Sequence, residues 1–356
     1  MVRKSLKTTS PQVYSKEEYL KKRVELNGIT FYDGDGDGTS AAAIWLAQKT
    51  GNYLAITNTQ KNKRDLVNNV FDLNLSPITP LKIGIFDIDA EQNLEGIEKL
   101  LDMNSEIDFF DHHTRIQLPG GINNYSKPDS RETSTASLVY SFFKEKYPDA
   151  KEADKRKAVH LAILGLANDG KSSGIEKFSQ EIAKGEIERL TYLGKVLNYS
   201  ANIGNTLDFK EILSQFLKTP NILAYLSSDP KITSATSNME NSVQELIQKV
   251  EKTEVKNNVL YTFPSQTPRE VITSNAFYQN FMNQSAVEDP TKYHLGIFKM
   301  ADGRYGLAIR GENALELAEK IAKYYDIKPL GRKTAAGFGT SKEINTSGLL
   351  KILGEI

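Results

Sequence analysis

The 356-residue chain contains no cysteine. Disulfides and thiolate metal sites are therefore excluded, and any metal must be held by oxygen and imidazole. Histidine is scarce as well, with 4 in the chain, so an imidazole inside a motif stands out. Neither sign of charge dominates, because Lys+Arg and Asp+Glu both number 45 and the formal net charge is zero. Proteins that grip long duplex nucleic acid by its backbone usually carry a basic excess. A neutral chain favours small or short substrates. No apolar run approaches the ~20 residues that span a bilayer. The N-terminus is basic without the apolar core of a secretory signal, and Glu17, Glu18 and Glu25 argue against an organellar transit peptide. It reads as a frayed tail before an amphipathic first helix. The expectation is a soluble cytoplasmic protein, for which the lack of cysteine fits a reducing compartment.

What is present is an alternation. GITFYD, NYLAITN, LKIGIFDID and EIDFFDHH read as strands; TSAAAIWLAQKTG, NLEGIEKLLDMN and TSTASLVYSFFKEKYP read as helices, the last capped near Thr133 or Ser134 and ended by Pro148. KRKAVHLAILGLAND has helical spacing and runs into a polar loop. Strands alternating with helices imply a parallel sheet covered on both faces. From about 173 to 253 the pattern is helical and more polar, and MENSVQELIQKVEK is placed to bridge two domains. NNVLYTF, YHLGIFKM and RYGLAIRG are strands, the last two joined at Asp302-Gly303, and NALELAEKIAKYY is a helix. The fold class is α/β: a parallel-sheet N-terminal domain over residues 1–235, including a helical connection, and a smaller α+β domain over 236–356.

Asp33, Asp35 and Asp37, spaced by glycines, directly follow the first strand. In an extended segment their side chains would share one face. Three crowded carboxylates repel unless a cation neutralises them. A calcium loop would need Glu at the twelfth position, where Ile44 stands; a solvated acidic turn is the other bland reading. Asp87 and Asp89 end a second apolar run, and Asp111, His112 and His113 end a third. Asp169, in GLANDG, adds a fourth end. Metal-ligating side chains at several strand ends would gather at the carboxyl edge of one sheet, where such folds place their sites. A helix start near Thr39 would present a weak positive end to an anion. His160 and His294 read as structural, and Trp45 as core.

The order and spacing of DGDGDGTSAA, IFDID, FFDHH and LANDG resemble the four motifs of the DHH phosphoesterases, a family that includes RecJ-type exonucleases, nano-RNases, cyclic-dinucleotide phosphodiesterases and family II pyrophosphatases. The resemblance covers most of the chain. It implies Asp35, Asp37, Asp87, His112 and Asp169 as ligands of two divalent cations, usually manganese with magnesium as the alternative. It places Asp87 between the ions, His113 against the substrate phosphate and Asp111 as a partner that orients the histidines. Many members carry a histidine four residues before the second aspartate; Phe31 stands there. Either Asp33 supplies the missing ligand or one ion is held more weakly.

The later segment LAIRG, a helix and GRKTAAGFG are similar to the family's DHH-associated C-terminal domain. Gly331, Ala335, Ala336 and Gly337 match its glycine-rich segment, whereas Arg332 replaces a histidine. Arg310, Arg332, Lys333 and Gly337 become candidate substrate contacts, joined by Arg115 after the histidine pair. A small-residue packing turn is the alternative for this segment. LGKVLNYSANIGNTLDF loosely resembles a helical segment of archaeal RecJ-like proteins and tilts the substrate toward short single-stranded oligonucleotides attacked from one end, in a cleft between the two domains. The alternatives are polyphosphate, pyrophosphate or a cyclic dinucleotide, and a catalytically silent scaffold. The resemblance implies no membrane partner and allows a homodimer.

Overall fold

The computed structural model describes residues 11–22, 24–58, 67, 80–88, 90–112, 118–127, 132–201, 207–263, 282, 285–299, 303–333 and 335–355. The chain divides into two compact units, Met1–Thr236 and Ser237–Ile356.

The first unit is built on a sheet in the order β1-β3-β2-β4-β5-β6. Its strands are β1 (Gln12–Tyr14), β2 (Gly28–Asp33), β3 (Asn52–Asn58), β4 (Lys82–Phe86), β5 (Glu106–Phe110) and β6 (Ile122–Asn124). Every pairing is parallel. Parallel strands are buried on both faces and so read as unbroken apolar runs; β2 is buried along its whole length. Ile29, Phe31, Leu54, Ile56, Ile83, Ile85, Ile107 and Phe109 face one core, closed by Tyr19 of α1 (Lys16–Lys22) and by Ile97 and Leu100 of α3 (Ala90–Asp102). The other face carries α2 (Gly36–Leu46), α4 (Thr135–Lys146) and α8 (Phe209–Lys218) against β2, β5 and β3. Behind them lies α5 (Glu152–Asn168), packed on α2, α4 and α7 (Lys184–Tyr199). Short α6 (Ser172–Glu176), α9 (Ile222–Ser228) and the long α10 (Pro230–Lys249), which runs through the division between units, complete the helical stretch.

Two local expectations change. The N-terminal segment is not simply a frayed tail, because Gln12–Tyr14 pair with Asn52–Leu54 as an edge strand. Helix α10 stops at Lys249, and Glu251 and Lys252, read from sequence as its continuation, open strand β7 (Glu251–Val255). Lys256, at φ 50°, makes the turn into β8 (Asn258–Thr262).

The second unit holds a mixed sheet in the order β11-β12-β10-β9-β8-β7. It adds β9 (Tyr293–Lys299), β10 (Tyr305–Arg310), β11 (Leu330–Arg332) and β12 (Ala335–Thr340). Only β8 and β9 run parallel; the other pairings are antiparallel. Ala314, Ala318, Ile321 and Tyr325 of α11 (Ala314–Tyr325) and Leu349 and Ile352 of α12 (Thr346–Glu355) cover its core with Leu295, Ile297, Leu307 and Ile309. His294 is a packed residue here: its ring stacks on Tyr261, whose hydroxyl lies 3.1 Å from Nδ1, and Nε2 lies 2.9 Å from the Asp289 carbonyl.

Candidate metal centre

The carboxyl ends of β2, β4 and β5 deliver Asp33, Asp87 and Asp111–His112 to one edge of the parallel sheet. The three aspartates of the first motif do not lie along an extended segment. The strand ends at Asp33, Asp35 caps α2 from an extended conformation, and Asp37 sits in the first helical turn. Their carboxylates accordingly divide between two groups. Asp33, Asp35 and Asp87 offer ligand atoms within 4.8 Å of one another, and so do Asp37, Asp87 and His112. Asp87 belongs to both.

The carboxylates of Asp35, Asp37 and Asp87 are held by hydrogen bonds rather than left to rotate. Asp35 Oδ1 accepts from the N–H groups of Asp37 and Gly38 at 2.9 and 3.0 Å. Gly38 is required at this turn, since a Cβ there would lie 2.5 Å from the Asp33 carbonyl. Asp37 reaches across to the N-terminus of α4: Oδ2 accepts from Thr135 N–H at 2.7 Å and Oδ1 from Ala136 N–H at 2.9 Å. That helix is itself capped by Ser134 in a reciprocal box with Ser137. A carboxylate on two orphan helix N–H groups is favourably placed in the dipole. Thr135 also donates its hydroxyl to Asp87 Oδ1 at 3.1 Å. Asp87 adopts φ 59°, a left-handed conformation that a non-glycine residue enters at a cost. Its N–H donates to the Phe110 carbonyl at 3.1 Å, tying the ends of β4 and β5 together.

His112 is buried with Nε2 3.0 Å from Asp169 Oδ2, 3.3 Å from Asp87 Oδ1 and 3.9 Å from Asp37 Oδ2. Asp169 follows the last residue of helix α5 rather than a strand. The backbone N–H groups that start α2 are engaged by Asp35 and by Asn168 Oδ1, so the positive end expected near Thr39 starts at Gly36 and is already occupied.

The electrostatics follow from crowding. Burial, then Asp169, Asp87 and Asp35, push the Asp37 carboxyl well above the usual carboxylate range. For His112 burial alone would lower the imidazole; the Asp169 and Asp87 carboxylates that accept from it outweigh burial and push it up to about 12. Buried carboxylates that resist ionising together, with one imidazole among them and no thiolate, are a donor set that fits hard or borderline divalent cations.

Phe31, where the resemblance calls for histidine, is fully buried in the core on the far side of β2 from α2. Asp111 is fully buried at the end of β5. His113, Arg115 and Asp89 lie outside the described residues. Arg310 ends β10 and donates from Nη1 to its neighbour's carbonyl, that of Ile309, at 3.0 Å. The glycine-rich segment is a β-hairpin of β11 and β12 rather than a loop, with Arg332 closing β11. Lys333 is exposed in its turn, Nζ 3.8 Å from Glu312. Gly337 lies within β12, where a Cβ would meet the Leu307 carbonyl at 2.3 Å, which is a packing reason for glycine. His160 is a packed helix residue and Trp45 a core one, its Nε1 donating to Asp108 at 2.9 Å.

Sequence reasoning missed Thr135, Asn168 and Gly165. Asn168 was visible only as a polar residue closing an otherwise apolar helix run beside Asp169. Gly165, one turn earlier, gives passage to the Asp37 carboxylate: a Cβ on it would lie 2.2 Å from Oδ1.

No family model matches this sequence, and neither does any curated protein. Among solved structures, RecJ from Thermus thermophilus in complex with Mn2+ aligns over 95% of this chain at 14% identity and TM-score 0.50. The chain spans 52% of that RecJ chain. An exopolyphosphatase-related protein from Bacteroides fragilis aligns over 96% of this chain and 94% of its own, at 13% identity and TM-score 0.41. CDC45 from Entamoeba histolytica aligns over 97% and 99%, at 9% identity and TM-score 0.41. A parallel sheet with the candidate ligands at its carboxyl edge, a separate mixed sheet and the alignment over 95% of the chain identify the fold as like that of RecJ.

Proposed function

We propose that this chain is a divalent-cation-dependent phosphodiesterase that hydrolyses short single-stranded oligonucleotides from one end. The observation that carries the reading is the pair of donor groups sharing Asp87: Asp33, Asp35 and Asp87 on one side, Asp37, Asp87 and His112 on the other. Zero net charge supports a short substrate over a long duplex. The Mn2+ in the RecJ complex supports manganese as the cation, with magnesium the alternative. When bound, two such ions supply Lewis acidity at a phosphoryl oxygen and a water acidified toward neutral pKa.

The remaining work falls to the chain's own residues. Asp35 and Asp37 would hold the cations from carboxylates already oriented by α2 and α4 N–H groups, so little reorganisation accompanies binding. Thr135 fixes the rotamer of Asp87 through Oγ1. Asp169 would complete the site beside His112, whose Nε2 it already meets. Asp111 is assigned to orienting the imidazoles, and His113 to a non-bridging oxygen of the substrate phosphate. Arg115, Arg310, Arg332 and Lys333 are assigned to phosphates away from the scissile bond, with Gly337 allowing close backbone approach. Residues 1–235 would cut and residues 236–356 would hold the substrate, in the cytoplasm. Among the described residues no helix is long and apolar enough to cross a membrane.

A panel of short RNA, short DNA, cyclic dinucleotides, polyphosphate and pyrophosphate, each with Mn2+, tests the reading. Oligonucleotides shortened from one end are expected. Preferential release of phosphate from the anhydrides would overturn the substrate assignment, and cation binding without hydrolysis of any member would point to a silent scaffold.

A further inference from the structure

We propose that Asn168 is a positioning residue that joins the two halves of the cation centre, an inference that rests on the metal-dependent reading above. Its side chain is 1% exposed at the C-terminal end of α5. Oδ1 accepts the Gly36 N–H at 3.0 Å. Nδ2 donates to Asp35 Oδ2 at 3.0 Å and to Asp169 Oδ1 at 3.2 Å. Its backbone carbonyl in turn accepts from Asn198 Nδ2 on α7. Reversing the amide would set its oxygen against two carboxylate oxygens and its NH2 against a backbone N–H. The orientation is therefore fixed by chemistry, and both side-chain donors are committed to carboxylates.

The consequence is a division of each carboxylate. Asp35 has Oδ1 on the α2 backbone and Oδ2 on Asn168. Asp169 has Oδ1 on Asn168, which turns Oδ2 toward His112 Nε2 at 3.0 Å. One amide thus sets the rotation of ligands from the first and fourth motifs against each other. Lysine or arginine could make the same bridge, but its charge would neutralise the cluster and compete with the cation. Aspartate would offer no donor and add repulsion. A neutral donor alone orients both carboxylates and leaves their charge available.

The test is Mn2+ calorimetry with electron paramagnetic resonance on the parent chain, Asn168→Ala, Asn198→Ala and Asp169→Asn. The parent is expected to bind two Mn2+ with a spin-coupled spectrum. Asn168→Ala should bind Mn2+ about 10–100-fold more weakly, the usual cost of losing such an outer partner, and show isolated-ion signals in place of coupled ones. Adding Asn168→Ala to Asp169→Asn should cost less than it does in the parent, because one carboxylate it orients has gone. Asn198→Ala, which leaves the amide in place but frees its backbone, should shift affinity the same way by less; it carries the test if Asn168→Ala does not fold. Lower thermal stability with unchanged Mn2+ affinity and spectrum in both asparagine variants would overturn the proposal. A parent that binds two Mn2+ yet hydrolyses nothing would overturn the phosphodiesterase reading while leaving the role of Asn168 measurable on affinity. A parent that binds no Mn2+ would overturn both.

Discussion

Gly165→Ala separates the demands of the helix from those of the site. Gly165 lies inside α5, where alanine is favoured over glycine by about 1 kcal/mol. If packing were indifferent, the substitution would stabilise the protein. It is not indifferent: the added Cβ would stand 2.2 Å from Asp37 Oδ1, 2.6 Å from Ala136 Cβ and 3.1 Å from Ser134 Oγ. Ordinary contact requires a retreat of about an ångström. The carboxylate cannot retreat freely, because Thr135 and Ala136 N–H groups hold it at 2.7 and 2.9 Å. Either those bonds lengthen, at roughly 1.5–3 kcal/mol for a hydrogen bond to a charged group, or α4 and α5 separate, at about 1–3 kcal/mol for overpacking. Net of the propensity gain, the fold should lose about 0–2 kcal/mol. The site should lose far more, since a misplacement of about 1 Å can cost on the order of 100-fold in rate. Urea unfolding, Mn2+ calorimetry and kcat/KM on one short RNA measure all three quantities. A Gly165→Ala protein that is more stable than the parent, with unchanged Mn2+ affinity and turnover, would refute the close packing of Asp37 against α5.

Three further outcomes follow from the site and the second unit. Asp37→Asn and Asp87→Asn should lose bound metal and activity together, whereas His113→Ala should keep much of its metal and lose turnover; elemental analysis beside kinetics decides, and an emptied His113→Ala site would reverse that division of roles. Burial and its neighbouring carboxylates raise the Asp37 carboxyl above the usual carboxylate range, and the Asp169 and Asp87 carboxylates push the His112 imidazole up to about 12 against its burial, so a cation competes with protons at both groups. Mn2+ affinity should therefore rise with pH, and the chelated protein should lose stability as pH climbs through the raised Asp37 titration, because a group with an elevated folded pKa stabilises only while protonated; calorimetry in buffers of different ionisation enthalpy and thermal melts with chelator check the two signs. Arg332→Ala should raise KM for oligonucleotides by about one to two decades, the equivalent of roughly 1.5–3 kcal/mol, with kcat and metal content near the parent's, and unchanged kinetics would assign the β11–β12 hairpin to packing alone.

The strand ends were readable because a doubly covered parallel strand is an uninterrupted apolar run, so an aspartate at its end marks both the sheet edge and a candidate ligand. Asp33, Asp87 and Asp111–His112 all announced themselves this way. The direction of their side chains did not. An extended reading of residues 33–37 put three carboxylates on one face, whereas the Asp35 cap turns the chain into α2 and sends Asp37 to the N-terminus of α4. That partner lies 98 residues away in sequence, beyond any local pattern. The left-handed φ of Asp87 and the bridge through Asn168 are likewise products of distant backbone meeting at one place. Edge strands β1 and β6, of 3 residues each, are too short for alternation to register. The polar EKTEV of β7 resembles the helix before it until β8 pairs with it.

The most direct measurement titrates Mn2+ into chelator-stripped protein while following hydrolysis of a short single-stranded RNA. Shared use of Asp87 by two donor groups predicts no turnover without metal and an increase that saturates near two equivalents of Mn2+ per chain. Full turnover in excess chelator, or saturation at one equivalent, would contradict a two-cation centre.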